Sequence, residues 1–111
     1  MTQTDDDVVL DRLFTTIVSR RGADPEKSYV ARLLHKGTPK IAQKFGEEAV
    51  EVAIAAALRD HDAVISESAD VLFHLLVLWA DQGVTPAQVW AELVHREGTS
   101  GVDEKKSRKP A

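Results

Sequence analysis

The feature that most constrains this chain is a pair of long stretches separated by one turn signal. Thr38-Pro39 reads as an N-cap followed by a first-turn proline, and no breaker follows until Asp60-His61-Asp62. A second stretch runs from about Asp62 to Asp81 and stops at Gly83. Two helices of such length joined by so few residues must lie side by side as an antiparallel hairpin, turning near Asp60 and His61.

The remaining punctuation is also helical. Thr4 and Asp5 to Asp7 supply N-cap chemistry and negative charge for a first helix reaching Arg20 and Arg21. Its apolar positions Val9, Leu10, Leu13, Phe14, Ile17 and Val18 recur at three and four. A short helix is expected from Ser28 to Lys36 with Gly37 as its stop. Thr85-Pro86 starts a last one ending near Arg96. No segment reads as a strand and no repeat is present. The expected fold is all-α, a compact bundle of about five helices around the central hairpin. Residues 1–97 form the domain, and 98–111 form a basic tail.

The third helix carries Ala49, Val50, Val52, Ala53, Ile54, Ala55, Ala56, Ala57 and Leu58, and is apolar almost all the way round. In a chain of 111 residues, such a helix is most easily covered by a second subunit, so an intertwined homodimer is expected. The competing reading is that surface alanines serve only as good helix formers.

Within this apolar setting lie acids at helical spacing. Glu47, Glu48 and Glu51 project from neighbouring sectors of the third helix, and Glu67 and Asp70 form an i, i+3 pair on the fourth. At a rise of ~1.5 Å per residue, Glu51 and Asp70 both lie ~14 Å from the turn and come level. Carboxylates brought together in a poorly solvated cleft repel one another unless a cation joins them. All-oxygen donors suit Mg²⁺, with Mn²⁺ as the second choice. Zinc is disfavoured, because the chain has no cysteine and no paired histidine motif.

Lys36, Lys40 and Lys44 recur every four residues before Glu47. They read either as phosphate partners or as an exposed face with pairs such as Lys44 with Glu48. His74, one turn beyond Asp70, reads either as a group that orients a carboxylate or touches substrate, or as a satisfied core histidine.

Composition narrows the function classes. With 14 basic against 18 acidic residues the net charge is −4, which argues against a nucleic-acid partner. The polar, acidic N-terminus does not read as a secretory signal, and the apolar runs look too short or too interrupted to span a bilayer. A cytoplasmic protein without a membrane partner is expected. No Ser-His-Asp or Cys-His arrangement points to a covalent enzyme intermediate.

The pattern Glu47-Glu48-x-x-Glu51 followed by Glu67-x-x-Asp70 resembles the signature of the all-α nucleoside triphosphate pyrophosphatase superfamily, to which MazG-like enzymes belong. Ser28-Tyr29 with Leu33-Leu34, Lys44-Phe45-Gly46 before the acids, and Glu67 to Leu78 narrow the resemblance to the phosphoribosyl-ATP pyrophosphatase family. Glu92-Leu93 with Arg96, and Ser100-Gly101-x-x-Glu104-Lys105-x-x-Arg108, match it too. Arg96-Glu97-Gly98 departs from the family pattern, which places an aromatic after the arginine.

The resemblance implies hydrolysis of phosphoribosyl-ATP to phosphoribosyl-AMP and pyrophosphate, the second step of histidine biosynthesis. It also implies a helical dimer with each site shared between subunits, in a form without a fused cyclohydrolase domain. Glu47, Glu48, Glu51, Glu67 and Asp70 are then the candidate metal ligands, with Glu48, Glu51 and Glu67 catalytic. Lys36, Lys40, Lys44, His74, Lys105 and Arg108 are the candidate substrate contacts. A house-cleaning nucleotide pyrophosphatase would use the same acids, and a helical dimer serving only for protein interaction would share the apolar third helix.

Overall fold

The computed structural model describes residues 8–98. Among them are five helices and no strand: α1 (Val9–Ser19), α2 (Tyr29–Lys36), α3 (Thr38–Ala57), α4 (His61–Gln82) and α5 (Pro86–Arg96). The proposed first cap at Thr4, and Lys105 and Arg108 of the tail, lie outside the described residues.

The start signals act as expected at two helices. Ser28 Oγ accepts from the Ala31 backbone N–H at 3.1 Å. Thr85 and Gln88 form a reciprocal capping box across Pro86, the first helical residue. Thr38 does otherwise. Gly37 occupies the cap position and Thr38 is the first helical residue. Its hydroxyl instead donates to Asp81 Oδ2 at 2.6 Å, tying the start of α3 to the end of α4.

The hairpin is the largest helix–helix interface in the chain. It turns at Leu58 to Asp60, one residue earlier than the sequence suggested, with His61 already inside α4. The Asp60 N–H returns to the Ala55 carbonyl and the Arg59 N–H to the Ala56 carbonyl. That is a Schellman closure. Asp60 then caps α4 by accepting from Ala63 N–H at 3.1 Å. The same closure ends α4, where Val84 N–H reaches the Trp79 carbonyl and Gly83 takes φ 72°. At the hairpin the left-handed position falls on Arg59, φ 57°, where a Cβ makes it costly by about 1–2 kcal/mol.

The core lies at the open end of the hairpin. Ile17 of α1, Leu33 of α2, Ile41 of α3, and Leu76, Val77 and Ala80 of α4 are each at most 3% exposed. Phe14, Leu34 and Phe73 pack around them. Each fully buried large side chain contributes about 1.5–3 kcal/mol of transfer free energy. Trp90 of α5 meets Trp79 edge-on, with ring centroids 6.0 Å apart.

One expectation needs correction. By length and composition α4 could cross a bilayer. It packs along α3 and against α1 and α2, which bury His74, Leu76, Val77 and Ala80. Glu67 and Asp70 at its middle would also be costly in hydrocarbon.

Candidate active site: a carboxylate cluster across the hairpin

The turn sets the register. Glu51 and Glu67 stand eight residues on either side of Arg59, and Glu48 and Asp70 stand eleven on either side. Thr38 and Asp81, bonded at the far end, preserve this register to within one residue. The structure therefore pairs Glu51 with Glu67 rather than with Asp70, correcting the simple count from the turn.

Glu48, Glu67 and Asp70 each turn a carboxylate oxygen inward so that the three lie within 4.8 Å of one another. Glu51 abuts Glu67 from the next turn of α3. Two helices thus deliver four acids to one place.

Glu67 bears most of the strain of this crowding. Its Oε2 is screened from solvent and meets no donor among the described residues. Its pKa is pushed up from the ordinary 4.5 to about 7, first because Glu67 and Glu51 can bond only through a shared proton, then by loss of solvation and by repulsion from Glu51. Glu48 adds a hydrogen bond and repulsion of the same sign. A screened oxygen without a donor, among oxygen donors alone, fits a hard divalent cation.

Glu47 stands apart from the three. Lys44 Nζ lies 3.6 Å from its Oε1, and Gln43 Nε2 donates to its Oε2 at 3.4 Å. The lysine thus pairs at i, i+3 with Glu47, not with Glu48 as the sequence suggested. This partly exposed pair is worth at most about 1 kcal/mol. Gly46, Glu47, Val50 and Glu51 line an open concavity of about 560 Å³ beside the cluster. Lys40 precedes it half-buried and Lys36 lies exposed at the end of α2.

His74 is 6% exposed. Its Nδ1 lies 2.8 Å from the Asp70 carbonyl and its Nε2 lies 3.1 Å from the Tyr29 hydroxyl. A carbonyl can only accept, so the neutral ring carries its proton on Nδ1 and the tyrosine donates to Nε2. With both nitrogens engaged, the buried ring joins α2 to α4. Tyr29, which sequence reasoning had not placed at the site, also stacks on Phe73 at 6.1 Å. Its signal in the sequence is the Ser28-Tyr29 pair that the family resemblance already includes.

Comparison with known proteins decides between the superfamily's members. Residues 10–97 match the family described as phosphoribosyl-ATP pyrophosphohydrolase. The chain belongs to that family. A phosphoribosyl-ATP pyrophosphatase of Paramagnetospirillum magneticum is 62% identical over 93% of this chain and 94% of its own length. Relatives of that name from Azospirillum brasilense (62%; 91% of both chains) and Rhodospirillum rubrum (59%; 91% of this chain, 86% of the other) agree. Membership in the phosphoribosyl-ATP pyrophosphohydrolase family makes the chain a hydrolase of a phosphoanhydride bond, and the carboxylate cluster sits in the segment matched.

Proposed function

We propose that the chain hydrolyses phosphoribosyl-ATP to phosphoribosyl-AMP and pyrophosphate, the second step of histidine biosynthesis, with Mg²⁺ as the working ion and Mn²⁺ as its substitute. The observation that supports this most directly is the convergence of Glu48, Glu67 and Asp70 within 4.8 Å, inside a segment shared with relatives of that name. Glu48 and Asp70 supply oxygen donors to the ion, and Glu47 supports the flank through Lys44. The ion, when bound, neutralises phosphate oxygens and acidifies a water.

Glu51 and Glu67 are the pair able to hold one proton between them. They accept it from the attacking water at the otherwise unpartnered Oε2 of Glu67. Lys36, Lys40 and Lys44 attract the triphosphate as point charges. Lys105 and Arg108 of the tail, 98–111, join them on the departing pyrophosphate. The apolar, exposed positions of α3 and α4 near the turn support a homodimer, and a soluble biosynthetic enzyme of this kind works in the cytoplasm.

The test is pyrophosphate release from phosphoribosyl-ATP, ATP and dUTP, each with Mg²⁺ and with EDTA. Metal-dependent release from phosphoribosyl-ATP alone is expected. Release mainly from ATP or dUTP would move the chain to nucleotide house-cleaning, and no release from any would end the enzyme reading.

A further inference from the structure

Gly46 sits in the interior of the 20-residue helix α3, where glycine is a poor choice. The usual reasons for retaining one are missing. Its φ is not positive, so no special backbone conformation asks for it. A Cβ built there would meet nothing within 4 Å, so no neighbouring element among the described residues needs the space. What the bare backbone does border is the open concavity it shares with Glu47, Val50 and Glu51. That space is within the roughly 300–1,000 Å³ of small-molecule sites.

The walls of this concavity differ. Glu47 and Glu51 give it a carboxylate side continuous with the cluster. Gly46 and Val50, one helical turn apart and Val50 58% exposed, give it an apolar floor. A triphosphate has no reason to lie on that floor, which offers its oxygens neither charge nor a free hydrogen-bond donor. A flat, uncharged ring has, since it gains contact with the exposed Cα and the valine methyls.

We propose that Gly46 is a specificity-determining position, its missing side chain leaving room for the nucleoside part of the substrate to lie against α3 beside the metal carboxylates. This rests on the pyrophosphohydrolase reading above. The geometry gives it an unusual signature. Filling the space should improve the helix and harm binding at once, because nothing among the described residues opposes a methyl there.

The decisive variant is Gly46→Ala, studied in the full chain. The melting temperature is expected to rise by about 3–6 °C, as glycine-to-alanine in a helix interior allows. The KM for phosphoribosyl-ATP is expected to rise about tenfold or more, the scale of a misplaced methyl in a substrate contact. Inhibition by inorganic pyrophosphate, which has no nucleoside, should be unchanged, and light scattering should give the same oligomer as the parent. Gly46→Val should raise the KM further.

An unchanged KM in both variants would overturn the proposal while leaving the parental activity intact. A loss of pyrophosphate inhibition matching the rise in KM would overturn it too, placing the effect at the carboxylates. So would a rise in KM accompanied by dissociation, which would make Gly46 a subunit contact. Absence of turnover in the parent would instead remove the reaction on which the proposal stands.

Discussion

The two ends of the α3–α4 hairpin are made of similar residues and end up in opposite conditions. At the open end Ile41, Leu76, Val77 and Ala80 are sealed by α1 and α2, each at most 1% exposed. At the turn end Leu58 and Ile65 remain 75% and 70% exposed, and Ile54 is 54% exposed. Among the described residues, one end is sealed and the other is left open. The carboxylates occupy the border between them. Core packing on one side fixes their helices, while the other side stays open enough for an ion and a substrate to enter. Rigidity and access come from adjacent stretches of the same two helices.

That comparison can be broken in several ways. The largest effect is expected at the border itself. Glu48→Ala should lower turnover by roughly 10²–10³-fold or more with an unaltered helical circular dichroism spectrum. It should also lose the rise in melting temperature that Mg²⁺ is expected to give the parent. Parental kinetics in this variant would detach the cluster from the chemistry.

Next in size is the contrast between the ends. Leu76→Ala should cost about 2–5 kcal/mol in denaturant unfolding at any protein concentration. For the homodimer proposed above, Leu58→Asp should leave the subunit folded yet lower its mass in light scattering from dimer to monomer. A dimer that survives Leu58→Asp together with Ile54→Lys would mean that the turn end is open by design.

A smaller effect follows from Glu67. Its carboxyl holds a proton more tightly in the folded chain, near pH 7, than in the unfolded one, near 4.5. Between these values the folded state binds more protons, so ion-free stability falls as pH rises and levels off above the upper one. A bound cation competes with that proton. The gain in melting temperature from Mg²⁺ over EDTA should therefore grow from pH 5 to pH 8, and the growth should vanish in Glu67→Gln. A gain independent of pH in the parent would show that no carboxyl in the cluster is strained.

The smallest effect concerns the turn. Arg59→Gly should stabilise by up to about 1 kcal/mol, relief of the left-handed strain being offset in part by a freer unfolded chain. Destabilisation would mean that the Arg59 side chain contributes more than its backbone costs.

How much of this could be read beforehand differs between elements for physical reasons. Helix count and order followed from caps, prolines and glycines, whose effects are local: Ser28, Gly83 and the Thr85–Gln88 box each act within a few residues. Thr38 misled because its hydroxyl found a better partner 43 residues away in Asp81, which no local rule encodes.

The site was legible as a set of acids but not as a set of pairs. Counting from the turn needs the turn residue itself, and Arg59 gives no sign in the sequence of adopting φ 57°. His74 was ambiguous for a similar reason. Its role depends on Tyr29, which arrives from a separate helix. The screened Oε2 of Glu67 depends on packing between helices, beyond the reach of spacing alone.

The placement of the acids between the turn and the core has a consequence for how such a chain can change over time. A residue added or deleted inside a helix, between Ile41 and Glu48 or between Asp70 and Leu76, would turn the acids by about 100° and slide them about 1.5 Å relative to the core that anchors each helix. One added at 58–60 need not, because the loop can absorb it while the core holds both helices in place. The chain can therefore change length at the turn but not between its acids and its core, and that spacing is information as specific as the identity of the glutamates.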